Sequence, residues 1–100
     1  MTALPSPDAI LSRLHLRQIR LLVALEAHGS LLRAAEEVGL TQPGASRALR
    51  EIETALGHPL FERTSRGLEP MPLGRLVMRY ARLIRTDVAQ MREEMLGLLQ

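Results

Sequence analysis

One hundred residues with 46% hydrophobic content suit one small packed domain, and the 2% aromatic share makes its core one of Leu, Ile, Val, Ala and Met. The absence of cysteine excludes disulfides and thiolate metal sites, and no apolar run approaches the roughly twenty residues needed to span a bilayer. A net charge of +2 excludes a generic polycation, although all thirteen basic residues are arginine, the side chain whose fork suits phosphate and guanine; a GC-rich genome would enrich arginine equally.

No signal peptide is visible either, so a soluble, cytoplasmic protein is expected. His15, His28 and His58 are too scattered to form a ligand cluster and read as helix-end or surface residues, which predicts no metal site. There is no Gly-rich phosphate loop, and the single tyrosine, Tyr80, sits on an apolar stripe, so neither cofactor nor enzymatic chemistry is expected.

Residues 1–15 start with Pro5 and Pro7 and predict a flexible segment, with room for a short helical turn from Asp8 to Leu14. Leu16 to His28 reads as the first helix of the domain. Leu16, Ile19, Leu22 and Val23 form its apolar face, widened by Leu25, and Gly29 stops it. Ser30 can cap a second, shorter helix in which Leu31, Ala34, Ala35 and Val38 follow the i, i+3, i+4, i+7 pattern. Two short helices joined by a tight glycine turn, here Gly39-Leu40, are the helix-turn-helix arrangement, whose second helix enters the major groove. Arg33 is then placed for a phosphate, or is simply a solvated arginine.

Thr41 caps the next helix, Pro43 is tolerated in its first turn, and Gly57 ends it. Ala45, Leu49, Ile52 and Leu56 lie along one stripe; Pro43, Arg47 and Arg50 fall opposite, with Ser46 beside them. The helix start, with Gln42 just after Thr41, offers free N–H groups and partial positive charge to a phosphate. Gln, Ser and Arg are also side chains that read base edges in a major groove. The bland alternative is a surface helix with two solvated arginines.

Leu60–Arg63 and Leu68–Met71 predict two short strands around the turn Thr64–Gly67, with Phe61 as anchor and Arg63 and Arg66 near the tip. Such a basic wing reaches a neighbouring backbone or minor groove. Pro72 to Gln100 reads as one long helix whose start, after Met71, lacks a good cap. Leu73, Leu76, Tyr80 and Leu83 are expected to pack back on the domain, and Arg75, Arg79, Arg82 and Arg85 to form a solvated face. Val77, Ala81, Ile84, Val88, Met91, Met95 and Leu98 alternate gaps of four and three, the seam of a coiled coil, which predicts a partner helix from a second copy.

Together these pieces resemble the N-terminal region of LysR-type transcriptional regulators over roughly residues 15 to 100. The most specific carriers are RAAEEVGLTQPGASR, the junction LGHPLFERTSRG and the helix that follows. The resemblance implies a mainly α fold, a winged helix-turn-helix of three helices and a two-stranded wing over 16–71, then a linker and dimerisation helix over 72–100. It implies double-stranded DNA with dyad symmetry as partner, and a homodimer through the linker helix. Residues matching Gln42, Pro43, Ser46 and Arg47 would face the major groove. Arg33 and Arg50 would lie by the backbone, with Thr41 at the helix start, and Arg63, Thr64 and Arg66 would belong to the wing.

Three positions depart from the family pattern. Leu31-Leu32 replaces an aromatic-threonine pair, Gly44 stands where alanine is common, and Met71 stands where a threonine cap is common. The chain ends at Gln100 while still helical, so a DNA-binding fragment without its effector-binding domain is expected, and with it no small-molecule ligand in this chain. The alternatives are a winged-helix module of another regulator class, such as a molybdate-responsive one, or a protein–protein adaptor.

Overall fold

A computed structural model describes residues 3–100. The chain runs α1 (Pro7–Arg13), α2 (Leu16–His28), α3 (Leu31–Val38), α4 (Gln42–Leu56), β1 (Phe61–Thr64), β2 (Gly67–Pro70) and α5 (Pro72–Leu99). This is the expected mainly helical winged helix-turn-helix with a long final helix.

The core forms around α2, which packs on α3, α4 and the start of α5. Because neighbours cover it on several sides, α2 buries more than one stripe: Ile19, Leu21, Leu22, Ala24 and Leu25. The helical period picked out part of this set and missed Leu21. Leu16, expected on the apolar face, is 71% exposed in the first turn, where nothing packs over it. Gln18 is buried instead, and its Oε1 accepts a bond from the His15 backbone N–H at 2.8 Å. A buried amide with a partner is tolerated; an unpaired one would not be. Ala24, Ala34, Ala35 and Ala45 are all essentially inaccessible, and their short side chains let α2, α3 and α4 approach closely.

The turn between α3 and α4 depends on Gly39, whose φ of 75° lies in the left-handed region that glycine adopts without steric cost. Thr41 then caps α4 as expected: its Oγ1 accepts the Gly44 N–H at 3.1 Å.

The wing is an antiparallel pair with Phe61 opposite Pro70 and Thr64 opposite Gly67, so the turn is Ser65-Arg66 and both strands are shifted one residue from expectation. Glu53, late in α4, sets the hairpin's angle. Its Oε2 accepts the backbone N–H groups of Leu60 at 2.6 Å and Phe61 at 3.3 Å. Leu60 is fully buried, and its carbonyl accepts the Met71 N–H at 2.9 Å. Gly74 then lets α5 press onto the same residue: a Cβ there would stand 2.1 Å from the Leu60 carbonyl oxygen. One peptide unit thus joins α4, the wing and α5.

Four expectations are corrected here. The chain start is less loose than its prolines predict: Ser6 caps α1 by accepting the Ala9 N–H at 3.2 Å, and His58 Nε2 lies 2.8 Å from the Ala3 carbonyl oxygen. The face of α5 that packs back is Gly74, Met78 and Ala81, flanked by Leu73 and Val77; Leu76, Tyr80 and Leu83 are 43%, 54% and 49% exposed. Ala81, assigned to the dimer seam, is therefore part of the chain's own core, because at that level α5 still lies on α2. Arg82 is also not simply solvated: its Nη1 donates to Glu26 Oε1 at 2.7 Å and ties α5 to α2.

Candidate nucleic-acid interface

The exposed side of α4 starts at the Thr41 cap, and Gln42 and Pro43 occupy its first turn in contact with solvent. One turn further, Ser46 gathers two arginines. Its Oγ accepts from Arg50 Nη1 at 3.0 Å and from Arg63 Nη2 at 2.9 Å. Arg50 comes from the same helix; Arg63 reaches across from β1. A serine oxygen has two lone pairs, and both are occupied, so the Ser46 hydroxyl proton is left to donate. The node therefore presents two guanidinium groups and an O–H, all donors. Such a set suits a phosphate oxygen or the O6/N7 edge of a guanine.

Arg47 is exposed and lies between two open grooves. Arg13 and Arg50 line one; Arg17 and Arg20, on the polar side of α2, line the other. Glu51 lines both and is their only carboxylate among the described residues. Arg13, Arg17 and Arg20 were not singled out from the sequence; Arg17 and Arg20 share a flank of α2, whereas Arg13 comes from α1, across the helix break at Leu14 and His15. Among the described residues the ion pairs of arginine are Arg66–Glu69, Arg82–Glu26 and Arg92–Glu93, so the arginines around α4 are not neutralised by carboxylates.

A third groove runs between the start of α3 and the wing, lined by Ser30, Leu32, Gln42, Arg63, Thr64 and Arg66 among others. The wing residues expected to bind together do meet here, with different roles. Thr64 builds the turn: its Oγ1 lies 3.2 Å from the Gly67 carbonyl and accepts the Arg66 N–H at 3.1 Å. Arg66 has a side chain 83% exposed and paired to Glu69 at 3.1 Å. An exposed pair of this kind is worth little, so the guanidinium remains available to a stronger anion. Arg33 is exposed in the first turn of α3, where its backbone N–H donates to Ser30 Oγ at 3.3 Å; its side chain is not drawn into the Ser46 node. Glu53, which holds the wing at the angle that lets Arg63 reach Ser46, gave no local signal because it acts seven and eight residues away.

Beyond the domain, Ile84, Val88, Met91, Met95 and Leu98 are exposed along one side of α5. An apolar groove lined by Leu56, Leu76, Val77, Tyr80 and Ile84 leads into this stripe. Among the described residues no helix is long and apolar enough to cross a membrane.

Comparison with known proteins bears on this arrangement. Residues 16–75 match the bacterial regulatory helix-turn-helix proteins of the lysR family. The HTH-type transcriptional regulator GbpR of Azospirillum brasilense is 44% identical over 88 residues, 88% of this chain and 26% of that protein. The chain spans about a quarter of the length of the curated relatives it matches. Among solved structures, the BenM DBD in its benA site 1 DNA complex superimposes with a TM-score of 0.81 at 31% identity, covering 87% of this chain and 98% of that one. The CbnR DBD in its DNA complex gives 0.79 at 25% identity, covering 87% of this chain and 100% of that one. With its helix-turn-helix, its wing and most of its length accounted for in this way, the chain belongs to the lysR family of bacterial regulatory helix-turn-helix proteins.

Proposed function

We propose that this chain is a sequence-specific double-stranded DNA-binding module of a transcriptional regulator, not an enzyme, and that it works in the cytoplasm as a homodimer. The observation that carries the reading is the donor cluster on α4: Ser46 with Arg50 and Arg63 gathered on its oxygen, beside exposed Gln42 and Arg47. In this reading Gln42, Pro43, Ser46 and Arg47 face bases in the major groove. Thr41, Arg33, Arg50, Arg63 and Arg66 hold the backbone, and Thr64 shapes the wing. The DNA-bound BenM and CbnR domains share this fold at closely similar overall geometry, which supports the assignment. The second copy would cover Ile84, Val88, Met91, Met95 and Leu98, an apolar stripe too regular for a solvated helix.

Arg47→Ala tests the base-reading role. With a duplex selected by the wild-type protein, binding should weaken by about 1–3 kcal/mol and the preference at one base pair should relax. Unchanged affinity together with unchanged preference would contradict the assignment.

A further inference from the structure

The segment before α2 lies outside the span matched to the family, residues 16–75, and yet it is docked on the recognition helix. Two anchors set its direction. At one end, His58 Nε2 holds the Ala3 carbonyl at 2.8 Å, and Pro5 lies against Gly57, just past the end of α4. At the other, Leu14 packs on the core. Between these points α1 runs back along α4 and places Arg13, in its last turn, in the groove shared with Arg47 and Arg50.

A cation at the end of a helix complements the helix dipole, and Asp8 in the first turn of α1 does the same at the other end. That account requires only a charge near the terminus. It does not explain why Arg13 lines the same groove as two further arginines, where like charges repel and Glu51 is the one carboxylate in the lining among the described residues. A polyanion running past the groove relieves this repulsion and releases its own counterions.

We propose that Arg13 is an additional DNA phosphate contact, by which α1 carries the footprint of the recognition helix onto the backbone flanking the bases that α4 reads. The proposal rests on the DNA-binding reading above. It assigns Arg13 to affinity and leaves base preference to α4.

The test uses the full chain and a duplex selected by the wild type, with affinity measured by fluorescence anisotropy at several salt concentrations. Arg13→Ala should weaken binding by roughly three- to tenfold, lower the salt slope by about 1 and leave base preference unchanged. Arg13→Lys should restore most of the affinity, because a phosphate accepts a point charge whereas a packing role does not depend on charge. Wild-type affinity and slope in Arg13→Ala, or a loss that Lys fails to restore, would overturn the proposal. Arg47→Ala measured in parallel separates the two readings. If it weakens binding while Arg13→Ala does not, only the α1 contact fails; if neither matters, the base-reading assignment of α4 fails with it, and failure of the wild type to select any duplex is what would sink the DNA-binding reading.

Discussion

The first ten residues of α5 and the rest of that helix carry the same kind of aliphatic periodicity but meet different surroundings. From Pro72 to Ala81 the helix buries Gly74, Met78 and Ala81 against α2 and the Leu60 peptide. From Arg82 to Gln100 every residue is exposed, including Val88 at 45%, Met91 at 55% and Leu98 at 88%. Periodicity says which face of a helix is apolar; it does not say what covers that face. In the proximal stretch the cover is the chain's own core. In the distal stretch none of the described residues covers it, and in our reading a second copy does.

The sharpest way to break the proximal half is Gly74→Ala. A Cβ placed 2.1 Å from a backbone carbonyl cannot be relieved by a rotamer change, so α5 must lift from Leu60. A loss of about 3 kcal/mol in unfolding free energy is expected by urea titration; a change below about 0.5 kcal/mol would mean the contact is looser than described. Glu53→Ala comes next. It removes the acceptor for the Leu60 and Phe61 N–H groups and should cost about 1.5–3 kcal/mol, with faster hydrogen exchange at those two amides. Unaltered exchange there would show that the wing is held by other contacts.

The smallest effect on the domain's stability is expected from the distal half. Val88→Glu combined with Met91→Glu should leave the thermal midpoint of the globular part within a few degrees, because neither side chain touches the core. The same change should convert a dimer to a monomer in sedimentation equilibrium, since two charges would be placed in an apolar seam. A dimer that survives it would locate self-association elsewhere.

The same contrast explains what could be read in advance. The boundaries of α2, α3 and α4 were legible because each rests on local signals: Ser30 and Thr41 as caps, and glycines at the three helix ends. The polar face of α4 followed from its period. Ala81 was placed in the seam although it lies in the core, because the core-facing stripe and the 3.5-residue seam overlap where α5 leaves α2, and spacing alone does not separate them. Thr64 was placed in the wing correctly, but its hydroxyl is engaged within the turn. The pairing of Arg63 with Ser46, the reach of Glu53 and the need for Gly74 all join residues distant in the chain, and no local pattern encodes them. The docking of α1 belongs to the same class, since it is fixed by His58 and α4 and not by its own seven residues.

The most direct measurement is selection of bound duplexes from a random DNA library at near-physiological salt, followed by sequencing. Enrichment of an inverted repeat, with half-sites spaced by about one or more helical turns, is the predicted result, because two copies of α4 related by a two-fold axis read two copies of one half-site. Salt-sensitive binding with no enriched motif would contradict the base-reading role of the Ser46 and Arg47 face, and no binding at all would contradict the DNA-binding account and favour a protein partner for this surface.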